Sequence, residues 1–195
     1  MHTSDRIVKS LMLLLVLVCG TAWADPVLTL SPASISASPG GTTGWGFTIS
    51  NDNDFILISS ASFCSGTNPV CTPSTLGSFT DYISNQFLVI GPSPESPTVT
   101  ESFDSSLQTG IGGFTINLSA PIGSVDMGFI QLTYDAYSVD PNDAMFDPAA
   151  DTISNGNLLT ANASVTTVAP EPGSLLLLGT GLAGLTGGLR RKLRK

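Results

Sequence analysis

Positive charge is missing from almost the whole chain. Of the seven Lys and Arg, Arg6 and Lys9 stand near the start, and Arg190, Arg191, Lys192, Arg194 and Lys195 close the sequence. The stretch between keeps 14 of the 15 Asp and Glu, losing only Asp5. Such a body cannot form a Lys or Arg salt bridge and offers no basic patch, which excludes nucleic acid as a partner. The one histidine, His2, belongs to the N-terminal leader described below. Its position removes Ser-His-Asp and Cys-His mechanisms and His-ligated metal sites from the exported body. Without lysine there is no Ser-Lys dyad and no Schiff base. Only carboxylate-pair hydrolysis remains, and it needs two acids held together in a cleft with one pKa raised. Acids are so common here that their presence points to no pair. The chain is expected not to be an enzyme, a small carboxylate-dependent hydrolase being the remote alternative.

Cysteine is scarce too. Cys19 lies in the leader, which leaves Cys64 and Cys71 around the turn-rich Ser65-Gly66-Thr67-Asn68-Pro69-Val70. In an oxidising compartment these two are expected to form a local disulfide. A thiolate zinc site would lack its third and fourth ligands. The leader itself, Met1 to Ala24, reads as a secretory signal peptide. Arg6 and Lys9 open it, Leu11 to Val18 are apolar, and Ala22-Trp23-Ala24 is a small-x-small cleavage site before Asp25. Lipidation at Cys19 is the weaker reading, because Val18 is too bulky for the position before a lipidated cysteine.

The other end has three parts: Pro170-Glu171-Pro172, an uncharged run from Gly173 to Leu189, and the basic cluster Arg190, Arg191, Lys192, Arg194, Lys195. At about 1.5 Å per residue the run gives roughly 26 Å of helix, near the short limit for crossing a bilayer. Its six glycines are costly for a helix in water but tolerated in lipid, where unsatisfied backbone costs more. The bases hold the terminus on the cytoplasmic side, and the two prolines keep the approach extended. An ordinary membrane anchor is the plain alternative. From Ala169 to Lys195 the tail resembles the PEP-CTERM sorting domain of Gram-negative bacteria that secrete exopolysaccharide. The same tail also carries the label of an ice-binding-protein C-terminal domain, which implies nothing about ice. The resemblance implies recognition of Pro170, Glu171 and Pro172 by exosortase, a multi-spanning membrane enzyme. It further implies a single transmembrane helix over Gly173 to Leu189, the bases as a stop, the inner membrane as a way station and exopolysaccharide as a further partner. The final destination would be the cell surface or extracellular matrix.

Three regions follow: 1–24 as signal peptide, 25–168 as ectodomain, and 169–195 as sorting tail. The ectodomain is rich in Ser, Thr, Gly, Val and Ile, and turn clusters recur at short intervals. It is expected to be all-β, an antiparallel two-sheet sandwich of immunoglobulin-like type. Candidate strands are Val27–Leu30, Ser34–Ala37, Thr43–Ser50, Phe55–Phe63, Tyr82–Ile90, Thr98–Phe103, Gly112–Leu118, Gly128–Tyr137 and Leu159–Val168. Alternation assigns Trp45, Phe47 and Ile49 to one core face, Phe114, Ile116 and Leu118 to another, and Ile130, Leu132 and Tyr134 to a third. Trp45, flanked by in-phase apolar residues, is expected in the core rather than on a sugar-stacking surface.

Asp135, Asp140, Asn142, Asp143, Asp147 and Asp151 crowd one segment broken by Pro141 and Pro148. Hard oxygen ligands on a loop suit Ca²⁺, although the spacing is not that of an EF-hand. A solvated acidic loop is the other reading, and both stay open. Ca²⁺ is the one cofactor the residues suggest. The leading expectation is a non-catalytic surface or matrix protein, with a calcium- or glycan-binding module as the alternative.

Overall fold

Period-two alternation organises the body into strands, because β-branched and aromatic residues recur at every second position between turn clusters. The computed structural model describes residues 26–170 except 93, 95 and 96. The expected signal peptide with Ala22 and Ala24, the residues Glu171 and Pro172, the expected span and the basic cluster lie outside the described residues.

The strands are β1 (Val27–Ser31), β2 (Ser34–Ala37), β3 (Thr42–Ser50), β4 (Phe55–Ser65), β5 (Gly77–Asp81), β6 (Leu88–Ile90), β7 (Thr98–Glu101), β8 (Gly112–Ile116), β9 (Val125–Tyr137) and β10 (Thr152–Thr167), with one helical turn, α1 (Pro148–Asp151). They form two sheets. One runs β1-β3-β8-β5 with β7 also on β3, and the other runs β2-β10-β9-β4-β6. Among the described residues no helix is long and apolar enough to cross a membrane.

The expectation of a wholly antiparallel sandwich needs one correction: β2 and β10 are parallel, from Ser164↔Ser34 to Thr167↔Ala37. The pairing of β1 with β3 ends at Ser31↔Gly46, where Pro32 has no N–H to continue the ladder. The chain keeps its direction, changes sheet, and meets β10 side by side. Strands β7 and β8 also share a single edge of β3, from Ser50↔Thr98 to Phe47↔Glu101 and then from Trp45↔Gly112 to Thr42↔Thr115. The expected strand to Phe103 therefore stops at Glu101 and an excursion intervenes. Glu101 Oε2 accepts from Gly110 N at 3.0 Å to close it. Within it, Phe103 lies over Gly44, where a Cβ would collide with its ring and with the Gly112 carbonyl. Asp104 Oδ1 accepts from Ser106 Oγ at 2.6 Å, Ser106 N at 2.8 Å and Leu107 N at 3.2 Å. These bonds hold the Asp104 carboxyl below its ordinary value, the Ser106 hydroxyl foremost. The charged form is thus the one the fold favours, and its contribution is lost as pH falls through the folded-state value.

Two further expectations change. Tyr82–Ile90 is not one strand: Asp81 Oδ1 accepts from Ile83 N at 2.8 Å and Ser84 N at 3.2 Å, capping a 3-10 turn over Ile83–Asn85 before β6. That capping also ends β5, which composition did not reveal. Leu118 is 85% exposed rather than core, since β8 ends at Ile116 and Asn117 N turns to Leu76 O.

The core lies between the sheets. Trp45, Phe47, Ile49, Phe114, Ile130 and Leu132 are fully buried, and Tyr134 packs against them partly exposed. Strand β4 changes phase at Ser59, where its register with β9 slips between Ile58 and Ser60. The bulge is what turns Ile56, Ile58, Ala61 and Phe63 to the same face. Cys64 and Cys71 are joined by a disulfide with Cα atoms 4.6 Å apart. The loop it closes crosses the outer face of the second sheet: Gly66 N donates to Met127 O at 2.9 Å and Asn68 Nδ2 to Thr160 Oγ1 at 3.1 Å. Phe129, which points outward from β9, is buried there. Closing so small a loop removes about 2.5 kcal/mol of unfolded-state freedom by the chain-entropy estimate. Melting after reduction is expected to fall by roughly 5–10 °C. Coincident curves with and without reductant would contradict this role.

Candidate functional site

Strand β10 is held at its end from two sides. Val168 N donates to Ala37 O at 2.9 Å, Thr167 N to Ser124 O at 2.9 Å, and Gly123 N to Thr167 O at 2.7 Å. Thr167 is fully buried, and its Oγ1 has no hydrogen-bond partner among the described residues. Ala169 and Pro170 follow, both exposed. Pro170 thus lies two residues beyond Val168, the last residue bonded to the sheet among the described residues. Extended chain covers at most about 3.3–3.6 Å per residue, so whatever grips Pro170 works beside the folded body.

The segment considered for calcium is built differently from a metal cage. Asp140 Oδ1 accepts from Asn142 N at 2.8 Å and Asn142 Nδ2 at 3.1 Å. Asp143 Oδ1 accepts from Met145 N at 2.8 Å, Asp147 Oδ1 from Ala149 N at 2.9 Å, and Asp151 Oδ2 from Asp147 N at 2.8 Å. Asp135 Oδ1, on β9, accepts from Gly156 N at 2.7 Å. The carboxylates of Asp140, Asp143, Asp147 and Asp151 serve their own turns, that of Asp135 reaches across to β10, and Asp147 caps α1, whose first residue is Pro148. Among the described residues no group of three or more His, Cys, Asp or Glu is placed to hold a metal ion. Of the two readings left open for Asp135, Asp140, Asn142, Asp143, Asp147 and Asp151, the local hydrogen bonds favour the solvated acidic loop, each aspartate giving one oxygen to a backbone donor. Nearby, Tyr137 packs edge-on against Phe146 at 5.1 Å, and its phenol is held above its ordinary value by burial first and by the Asp135 charge second. Melting curves in millimolar CaCl₂ and in NaCl of equal ionic strength are expected to superimpose. A clear upward shift with calcium, lost in Asp143→Asn, would restore the calcium reading.

Four surface clefts can be compared for chemistry. One of about 540 Å³ opens between the sheets onto Phe63, Phe79 and Phe114 with Asp81 at its rim. Another, of about 350 Å³, contains Asp126, whose carboxylate accepts from the Ser65 and Ser74 hydroxyls. The remaining two, of about 430 and 470 Å³, contain no carboxylate. None of these clefts holds the two carboxylates of a glycosidase pair. The 430 Å³ cleft is lined by Ser34, Thr67, Asn68, Met127, Asn162 and Ser164, among others. Sequence reading overlooked it. The available sign was the alternate polar row Thr160, Asn162, Ser164, Thr166 on β10.

Residues 168–192, beginning where β10 ends, match the PEP-CTERM protein-sorting motif. This chain carries a PEP-CTERM tail. The motif marks an exported protein of Gram-negative bacteria that is membrane-anchored before exosortase, a membrane enzyme, processes it. Of the residues expected to be recognised, Pro170 is exposed. No curated protein matches the chain. Among solved structures, the ASH / PapD-like domain of human CEP192 (PapD-like domain 7) is similar over 74% of this chain and 87% of its own, at 9% identity and a TM-score of 0.35. A likeness of that degree bears on neither fold nor function. The PEP-CTERM tail is the feature of this chain that the comparisons identify.

Proposed function

We infer that this is a non-catalytic protein of the cell surface or extracellular matrix, delivered there by its PEP-CTERM tail and presenting the β-sandwich to an exopolysaccharide layer. The observation that carries the reading is the match at 168–192, which starts directly after β10 and so places the motif at the edge of a folded domain. Supporting it, the body lacks Lys, Arg and His, and the four clefts offer no paired carboxylates. Export comes first, with cleavage after Ala24. The span at Gly173 to Leu189 and the stop from Arg190 to Lys195 then hold the precursor in the inner membrane while Pro170, Glu171 and Pro172 are read. The test is mass mapping of the mature C-terminus in the native host, with cell fractionation. A protein shortened near the motif and recovered outside the inner membrane is expected. Retention of the whole tail through Lys195 at steady state would overturn the sorting reading in favour of a simple anchor.

A further inference from the structure

The outer face of the second sheet differs chemically from the rest of this acidic body. Strand β10 buries Leu159, Ala163, Val165 and Thr167, so the alternate residues Thr160, Asn162, Ser164 and Thr166 point outward. The row continues on β2, where Ser34 pairs with Ser164 and Ser36 with Thr166. At the end of this face beside the disulfide loop lies the 430 Å³ cleft, within the roughly 300–1,000 Å³ of small-ligand sites. It is lined by Thr67 and Asn68 of the disulfide loop, Ser34 of β2, Met127 of β9, and Asn162 and Ser164 of β10. The lining is braced: Asn68 Nδ2 donates to Thr160 Oγ1 at 3.1 Å, and the Ser34 and Ser164 hydroxyls are 2.9 Å apart. The Asn162 carboxamide is exposed and has no hydrogen-bond partner among the described residues, leaving both a donor and an acceptor for a ligand.

This lining selects among ligands. An anion would find no cation in the cleft and would meet a chain of formal net charge -8. A cation has carboxylates elsewhere and none here. An apolar molecule would strip water from amides and hydroxyls without replacing their hydrogen bonds. A peptide strand binds by extending a sheet edge; β2 covers that edge of β10 only from Ser164 to Thr167, so strand addition could use the backbone before Ser164 but would leave the outward Asn162 carboxamide unused. An uncharged sugar chain has hydroxyls for the amides, and its C–H faces can lie on Met127, which is 74% exposed. We propose that this cleft binds a segment of uncharged polysaccharide, with Asn162 and Asn68 at its hydroxyls and Met127 against a ring face. The proposal rests on the surface-protein reading and names the class of polymer that the body meets. With no aromatic platform in the cleft each contact is weak, and retention comes from many copies engaging one polymer.

The test is native gel electrophoresis of the full chain in mild detergent, in gels cast with dextran, galactomannan, hydroxyethylcellulose or alginate. At least one neutral polymer is expected to slow the protein, by about twofold when its concentration equals the dissociation constant. Asn162→Asp, which adds a charge at an exposed position, is expected to abolish the retardation. Gln131→Glu, a charge on the same face outside the cleft, is expected to keep it. No retardation by any of the three neutral polymers, retardation by alginate alone, or equal retardation of Asn162→Asp would each overturn the proposal. These outcomes are independent of tail processing. A correctly shortened protein that no neutral polymer slows sinks the cleft and leaves the sorting reading intact, whereas a retarded protein that keeps its tail does the reverse.

Discussion

Trp45→Ala is expected to destabilise the body by about 3–5 kcal/mol, the usual cost of truncating a large buried aromatic. Trp45 is fully buried. Its ring stacks on Phe63 at 5.3 Å between centroids and meets Phe114 edge-on at 6.3 Å, joining β4 of one sheet to β3 and β8 of the other. Its Nε1 donates to Ala33 O at 3.2 Å, tying the core to the crossover between β1 and β2. Truncation would leave a cavity bounded by rings that are themselves held by their strands, so collapse can refill little of it. Against a typical total of about 5–15 kcal/mol, the loss brings the domain near the edge of folding. Urea denaturation of the exported protein measures it. Trp45→Phe keeps most of the ring contact and gives up the bond to Ala33, so its loss is expected to be smaller, about 1–3 kcal/mol. A Trp45→Ala variant within about 1 kcal/mol of wild type would mean that the two sheets are not held together through this ring.

Replacing Pro170, Glu171 and Pro172 together by Ala is expected to abolish processing while leaving export and membrane insertion as they are. Insertion depends on the apolar run and the basic cluster, which the change does not touch. Recognition depends on a short extended segment. The prolines favour that conformation, and the glutamate supplies the only charge between Asp151 and Arg190. Because Val168 is the last residue bonded to the sheet among the described residues, the substitution is expected to leave the melting temperature of the domain unchanged. The expected readout is accumulation of full-length precursor in the inner membrane with wild-type stability. Normal processing of the triple variant would show that the enzyme reads something other than this motif. Precursor accumulation together with a lower melting temperature would point to damage in the domain instead.

Sequence alone went a long way at the C-terminal tail and in the core. Sorting was legible because machinery reads it as a short linear pattern, and residues 168–192 match that pattern. The faces of β3 were legible because alternation is a local property of a strand, and Trp45, Phe47 and Ile49 are all fully buried. The same rule failed for Leu118, where the strand had ended, and for Tyr82–Ile90, where the Asp81 side chain diverts the backbone into a turn. In both cases a hydrogen bond from a neighbouring segment outweighed a local pattern.

The acidic segment shows the boundary most clearly. Composition assembles Asp135, Asp140, Asn142, Asp143, Asp147 and Asp151 into a plausible ligand set. Which oxygens are free is settled by backbone donors that come into place only on folding. The cleft at Asn162 lies on the same side of that boundary. Its lining comes from Ser34, Asn68 and Asn162, distant in sequence, and they meet because Pro32 ends one ladder and sends β2 to the opposite sheet, while the disulfide folds residues 65–70 back over β9. Where the chain is sent was written in contiguous residues. What its surface can hold was decided by contacts between residues far apart in the chain, whose positions only the completed sandwich determines.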